Sequence, residues 1–561
     1  VSKGAIYFSN FADGRLYRQK IGEANARPLT PEAAVAGQGY RFADGVIDHS
    51  RRRWIGVRED HTAGGEPVNA VVAVNIDNAA ADARHVLAGG HDFFSTPRLS
   101  PDGCALVWLA WDHPNMPWNG TMLYLADIGE DGAPGEARVI AGSASESIFQ
   151  PEWSPDGKRI VFVSDRSGWW NLYSFDPATG DISALAPMEA EFGMPQWVFG
   201  MSTYTFAGPE RVVCSYSRSL GRLAVLDLAT GERKELETPF TDFESVRGSG
   251  NCIVFLAGAP HHPTSIVELD LATQQHRVLK KATAILDHAD ISKYLAPAEA
   301  VEFPTTGGEI AYGLFYPPAN PDCAAPAAER APLLVRCHGG PTSAATSMLN
   351  LSTHYWTSRG IAVLDLNYRG STGYGRAYRD RLYLSWGTVD VDDAVAGARY
   401  LAQQGRVDER RCVISGGSAG GYTTLAALTF RDFFQGGASY FGVSDLAALA
   451  RDTHKFESRY MDWLIGPYPH EAERYRERSP LYHAERLSKP VIFFQGEEDV
   501  VVLPAQAEVM VEALRRKGNA VGYLLFAGEQ HGFRKAETIK RCLDAQLYFY
   551  SIEVFRTALM F

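Results

Sequence analysis

Six short apolar strands begin near Ile6, Trp54, Leu106, Ile160, Val212 and Ile253, at intervals of 48, 52, 54, 52 and 41 residues. Each is followed by a second strand, as in Asn171-Leu172-Tyr173-Ser174-Phe175, and several run into turns of one design, such as Asp176-Pro177-Ala178-Thr179-Gly180 and Asp227-Leu228-Ala229-Thr230-Gly231. Ser-Pro-Asp-Gly occurs at 100–103 and again at 154–157, each time ahead of a strand. Short strands with Gly/Pro/Asp turns at a period near 50 are what a β-propeller requires, because a four-stranded blade buries its faces only against its neighbours. A β-sandwich would not demand a fixed period. Residues 1–283 are therefore read as a β-propeller. The unit at Ile6 lacks a preceding inner strand in this sequence, so the ring is completed from elsewhere or shortened at its start.

An Ala- and Pro-rich stretch from Pro317 to Pro332 separates this pattern from another, in which apolar strands alternate with helices. Leu333-Leu334-Val335, Ile361–Leu364, Val413-Ile414 and Val491–Phe494 read as strands buried on both faces, and Val389 to Gln404 as a helix with Asp390, Asp392 and Asp393 in its first turn. Residues 284–561 are accordingly read as an α/β domain with a parallel sheet, and the motifs below make it an α/β-hydrolase domain.

That domain carries the chemistry. Gly416-Gly417-Ser418-Ala419-Gly420-Gly421 follows the strand Cys412-Val413-Ile414 and opens a helix, the setting of a G-x-S-x-G nucleophile elbow. A serine hydroxyl needs a histidine to take its proton, and the histidine a carboxylate to fix its tautomer. Asp499 follows strand Val491–Phe494 and His531 follows strand Tyr523–Phe526, in the order Ser, acid, His. Glu497 and Glu498 share the turn of Asp499, though its register favours the third residue after Gly496. Asp445, His454, His470 and His483 lie in a segment better suited to forming a pocket. The oxyanion donors are expected to be the backbone N–H of Ala419 and one from His338-Gly339-Gly340-Pro341, with Gly340 preferred and Gly339 the alternative.

Composition narrows the partners. The 54 basic and 66 acidic residues give a net charge of −12 with no long Lys/Arg block, which argues against nucleic acid. No apolar run suits a membrane span. Seven scattered cysteines without a C-x-x-C pair indicate neither a disulfide framework nor a zinc site and fit a reducing cytoplasm. No metal or other cofactor is expected. Association with copies of the chain is left open.

On His338–Pro341, Asn367–Gly375, Gly416–Gly421, Gly496–Asp499 and His531–Arg534, the chain resembles the prolyl oligopeptidase family of serine peptidases, in which a propeller caps an α/β-hydrolase domain. Phe456–Tyr460 and Glu191–Trp197 make it most similar to the acylaminoacyl-peptidase and dipeptidyl-aminopeptidase-like branch, including aminopeptidases that hydrolyse puromycin. The resemblance implies cleavage of amide bonds near the N-terminus of short peptides or aminoacyl amides, with the propeller as a size filter. It also implies a specificity pocket of Val443, Leu446, Phe456 and Val502, with Glu189 and Glu191 as readers of a free α-amino group. Several relatives carry Arg or Asn two residues after the catalytic Asp, where this chain has Val501, so peptide anchoring is expected to differ. Relatives generally have seven blades, so the chain is expected to be a shortened or cleaved form. An esterase or amidase with the same triad is the rival reading, and a non-enzymatic propeller with a relic hydrolase the third.

Overall fold

The computed structural model describes residues 1–557 except 36, 78–84, 289 and 327. Its first part contains six antiparallel sheets in chain order. The first has three strands, Ala5–Ser9, Leu16–Lys20 and Arg27–Pro28, and the other five have four each, over residues 40–88, 93–143, 148–184, 204–236 and 242–281. The strands read from the sequence as repeat starts are the second strands of the four-stranded blades. In the first sheet, Ile6 lies in the leading strand.

The reason for the period is visible in the packing. Ile55 and Val57 of one blade share a buried cluster with Phe94, Leu106 and Trp108 of the next. Val107 and Leu109 on the other face of that blade meet Ile148, Ile160 and Phe162 of the one after. The blade over residues 93–143 thus supplies two apolar faces and depends on both neighbours.

The innermost strands carry a feature the repeat did not reveal. Their pairing slips between Ala43 and Val46, Ser95 and Arg98, Phe149 and Glu152, and Glu244 and Arg247. Asp44, Thr96, Gln150 and Ser245 take positive φ there, the signature of a β-bulge. The bulges turn charged side chains toward one another, so that Arg98 pairs with Glu152 at 2.9 Å and Asp44 at 3.4 Å, joining three blades.

The second part holds one eight-stranded sheet. Its strands are β1 (Glu299–Pro304), β2 (Ile310–Tyr316), β3 (Ala331–Cys337), β4 (Ala362–Asn367), β5 (Val407–Gly417), β6 (Gly437–Tyr440), β7 (Val491–Gly496) and β8 (Val521–Phe526). The spatial order is 1-2-4-3-5-6-7-8, with β2 antiparallel to its neighbours and the rest parallel. β1, β2 and β6 go beyond the strands anticipated from the sequence. β6 is four residues, Gly-Ala-Ser-Tyr, without a β-branched side chain, and it is fixed by pairing with β5 and β7 rather than by propensity.

The acidic first turn of helix Val389–Gln403 does more than face a helix dipole. Asp390 accepts hydrogen bonds from the Gly387 N–H at 2.7 Å and the Thr423 hydroxyl at 2.6 Å, and Asp393 pairs with Arg369 at 2.8 Å. The loop after β4 thereby becomes rigid, and it reaches the propeller. Arg376 and Arg379 both donate to Asp165 at 2.7 Å, and the Arg379 guanidinium lies over the Trp170 ring. No helix among the described residues is long and apolar enough to cross a membrane.

Candidate active site

The turn between β5 and helix Ala419–Phe430 puts Ser418 at φ 56°, ψ −120°, a conformation non-glycine residues seldom adopt. Its neighbours must be small. A Cβ on Gly420 would come within 2.1 Å of the Cys337 carbonyl oxygen, and one on Gly416 within 2.3 Å of the Gly420 carbonyl oxygen. The Ser418 N–H is tied to the Tyr440 carbonyl at 3.0 Å. The strained turn is over-determined on both sides, and it lifts the hydroxyl above the carboxyl end of the sheet.

His531, in the loop after β8, has Nε2 3.0 Å from Ser418 Oγ. Its Nδ1–H donates to Asp499 Oδ2 at 2.8 Å. Asp499 is buried after β7, and its Oδ1 accepts 2.9 Å bonds from the N–H groups of Val501 and Val502. The Gln495 amide donates to Oδ2 at 3.3 Å. Each carboxylate oxygen is therefore held, which fixes both the tautomer and the plane of the imidazole. Phe441 packs edge-on against the His531 ring at 4.8 Å between centroids. Glu497 and Glu498 do not take the position of Asp499.

The loop after β3 brings Gly339 and Gly340 beside Ser418 and Ala419, all four lining one cavity. Gly339 sits closest to the elbow, since a Cβ there would stand 3.2 Å from the Gly417 oxygen and 3.5 Å from Ser418 Cβ. The loop is braced by His338, whose Nδ1–H donates to the Gly339 carbonyl at 2.9 Å while Nε2 accepts from the Ser371 hydroxyl at 2.7 Å. Burial pushes its pKa down to about 4, so His338 is a neutral strut.

The cavity holds about 530 Å³. Its apolar walls include Trp386, Val443, Leu449, Met461, Leu464 and Val502, and Trp197 of the propeller joins the lining. Trp197 donates from its indole N–H to the Thr342 carbonyl at 2.8 Å and packs on Trp118, 4.4 Å between centroids. Val501, two residues after Asp499, adds an apolar side chain to the wall. Among the described residues no group of three or more His, Cys, Asp or Glu could hold a metal ion.

Four of the expected pocket residues lie elsewhere. Leu446 is fully buried in the core at the start of helix Leu446–Asp452, with its side chain outside the cavity lining. Phe456 stands behind the lining, in an aromatic cluster with Phe93, Trp118 and Trp197. Glu189 is exposed and pairs with Arg218 at 3.6 Å. Glu191 is buried, but its oxygens accept the N–H of Trp170 at 2.8 Å and of Gly375 at 3.0 Å, so it joins the propeller to the second domain. Glu191 is not among the residues that line the cavity.

The carboxylate that does line the cavity is Glu457. The signal for it was present, since it lies in the same Phe456–Tyr460 stretch that marked the resemblance. Tyr460 lines the cavity too, hydrogen-bonded to Thr342.

The sequence model described as "Prolyl oligopeptidase family" matches residues 347–554. Dipeptidyl aminopeptidase BIII of Pseudoxanthomonas mexicana is 33% identical over 215 residues, covering 37% of this chain and 31% of that protein. The acylamino-acid-releasing enzyme of Arabidopsis thaliana is 24% identical over 441 residues, 70% of this chain and 57% of that protein. The chain thus spans less than two thirds of the length of these curated relatives. Among solved structures, a Mycobacterium tuberculosis puromycin-hydrolyzing peptidase is 40% identical with a TM-score of 0.94, covering 99% of this chain and 85% of that one. A puromycin hydrolase is also 40% identical, with a TM-score of 0.93 and coverage of 100% and 86%.

Proposed function

The chain belongs to the prolyl oligopeptidase family, and from that membership we propose that it is a serine peptidase cleaving amide bonds near the N-terminus of short peptides or aminoacyl amides. The observation that carries this reading is the unbroken chain of hydrogen bonds from Ser418 through His531 to Asp499, opening on an apolar cavity.

In this mechanism Ser418 Oγ attacks the scissile carbonyl carbon as its proton passes to His531 Nε2. Asp499 stabilises the imidazolium through Nδ1–H. The carbonyl oxygen, now an oxyanion, takes the N–H of Ala419 and one from the Gly339-Gly340 pair, Gly340 being the donor expected from the sequence and Gly339 the one nearer the elbow. His531 returns the proton to the leaving amine, and the C–N bond breaks to leave an ester on Ser418. Water then repeats the cycle in reverse roles and frees the acid. Val443 and Val502 form part of the wall against the acyl side chain.

The propeller would serve as the size filter, a reading supported by Trp197, a propeller residue that lines the cavity and is bonded to Thr342 of the second domain. The division of the chain at residue 283/284 belongs to the same proposal, supported by the last propeller strand ending at Lys281 and β1 beginning at Glu299. A reducing, cytoplasmic location is supported by seven cysteines that are all unpaired.

The apolar lining would equally suit small esters or amides. Aminoacyl and N-acyl-aminoacyl anilides compared with short-chain esters test this directly. The peptidase reading expects turnover of the anilides, and a preference for esters by orders of magnitude in kcat/KM would defeat it.

A further inference from the structure

The two glycines read as oxyanion donors are braced from both sides, and the braces come from different domains. Neither the Gly339 nor the Gly340 N–H has an acceptor among the described residues, so the place of each depends on what holds its neighbours. Upstream the brace is His338, bonded to the Gly339 carbonyl and to Ser371. Downstream the Tyr368 hydroxyl donates to the Pro341 carbonyl at 3.1 Å, and the next residue, Thr342, is fully buried. The Thr342 N–H donates to the Tyr460 hydroxyl at 3.2 Å, and its carbonyl accepts the indole N–H of Trp197, from the propeller, at 2.8 Å. Trp197 is itself fixed by packing on Trp118 and Tyr460, at 4.4 and 5.9 Å between centroids.

The propeller grips the same segment again a few residues on. The buried Ser347 hydroxyl donates to Asp242 of the last propeller sheet at 2.7 Å, with the Thr241 hydroxyl 2.9 Å away, and the Leu349 N–H donates to the Ala259 carbonyl at 3.1 Å. Between the two grips the second domain holds the chain through Asn367, whose side-chain oxygen accepts the Ala345 N–H at 2.7 Å. An oxyanion donor is effective only within roughly 2.7–3.1 Å of the oxygen, so small displacements of the loop count. Pro341 fixes φ between Gly340 and Thr342, which leaves little slack to absorb a movement of Thr342 before it reaches Gly340.

We propose that the propeller is a working part of the oxyanion hole: Trp197 is a positioning residue that sets the Gly339–Gly340 pair through Thr342, and the Ser347–Asp242 bond is a second, weaker tie on the same segment. This rests on the hydrolase reading above and gives the propeller a part in the chemical step as well as in size selection. The glycine N–H groups matter most once the carbonyl oxygen carries charge, so loosening the tie weakens the tetrahedral state and leaves substrate binding nearly as it was.

The experiment measures kcat and KM for leucyl p-nitroanilide, and inhibition by leucinal and by leucinol, in the wild type, Trp197→Phe and Ser347→Ala. With leucinal, Ser418 Oγ bonds to the aldehyde carbon, its proton passes to His531, and the carbonyl π pair moves onto the oxygen, which then faces the glycine N–H groups. Leucinol has no carbonyl and binds without forming that oxyanion. Phenylalanine keeps an aromatic ring in the cavity wall and removes the indole N–H. Trp197→Phe should lose about 10-fold in kcat with KM within about threefold, and should weaken leucinal about 10-fold while leucinol changes less than about threefold. Ser347→Ala, at a residue outside the cavity lining, should shift kcat and leucinal in the same direction by about threefold. Equal weakening of leucinal and leucinol in Trp197→Phe, or a loss confined to KM, would make Trp197 a wall of the cavity only and overturn the proposal. So would unchanged kcat and leucinal affinity in both variants. An effect in Trp197→Phe alone removes the second tie and keeps the first. Should Trp197→Phe not fold, Ser347→Ala decides, and an unchanged ratio of leucinal to leucinol affinity there overturns the proposal. A wild type that neither turns over the anilide nor is inhibited by leucinal overturns the hydrolase reading itself, a separate failure.

Discussion

Asp165 of the propeller and Arg379 of the second domain are ion-paired at 2.7 Å with both side chains 1% exposed. Arg376 shares the carboxylate, and the Ser147 N–H donates to its other oxygen at 2.8 Å. The pair ties the propeller to the segment that follows β4. Removing one partner leaves a buried charge, which typically costs about 3–5 kcal/mol, whereas removing both is milder. Asp165→Ala is expected to lower stability by that amount in denaturant unfolding, and an added Arg379→Met to recover part of it. Equal stability of wild type and Asp165→Ala would show that the seam does not depend on this pair.

Glu191→Gln should leave the ratio of free to acetylated substrates unchanged, because Glu191 faces the Trp170 and Gly375 N–H groups and not the cavity. The amide offers one acceptor where the carboxylate satisfied two donors, so unfolding free energy should fall by about 1–3 kcal/mol. A selective loss of free-amine hydrolysis in this variant would return the amine-reading role to Glu191.

Asp242 gives a pH signature. Burial pushes its pKa up to about 6, against hydrogen bonds from the Ser347 and Thr241 hydroxyls. Because the folded protein holds this proton more tightly than the unfolded chain, the native state binds more protons between about pH 4 and 6 and loses stability as pH rises through that window. Asp242→Asn should therefore stabilise at pH 7.5 by about 1–3 kcal/mol relative to its effect at pH 4. Melting curves of both proteins at the two pH values check this, and a stability difference independent of pH would contradict it.

Gly420→Ala tests the elbow. Its methyl group would press on the Cys337 carbonyl, so the turn must shift and the Ser418–His531 contact lengthen. The variant should fold less stably and lose about 100-fold or more in kcat. Full activity would mean that the elbow tolerates relaxation.

Much of this was legible in the sequence because it was local. The blade period, the Gly416–Gly421 elbow and the positions of Asp499 and His531 each follow from a strand, a turn and their order. What could not be read was tertiary. Glu191 and Glu457 are both glutamates near the domain seam, and only the fold separates the one held by two backbone N–H groups from the one left facing a cavity. Leu446 and Val443 differ by three residues, yet a helix start turns one into the core while the other meets the cavity. β6 and the bulges of the inner strands are set by neighbouring strands and leave no propensity signal.

Activation of Ser418 as a nucleophile by His531 is open to a direct measurement: labelling the folded protein with a fluorophosphonate and locating the adduct by peptide mass spectrometry. One adduct per chain is expected on Ser418, absent in Ser418→Ala and formed at least about 100-fold more slowly in His531→Ala. A folded wild-type protein that takes no label, or takes it on another residue, would contradict it.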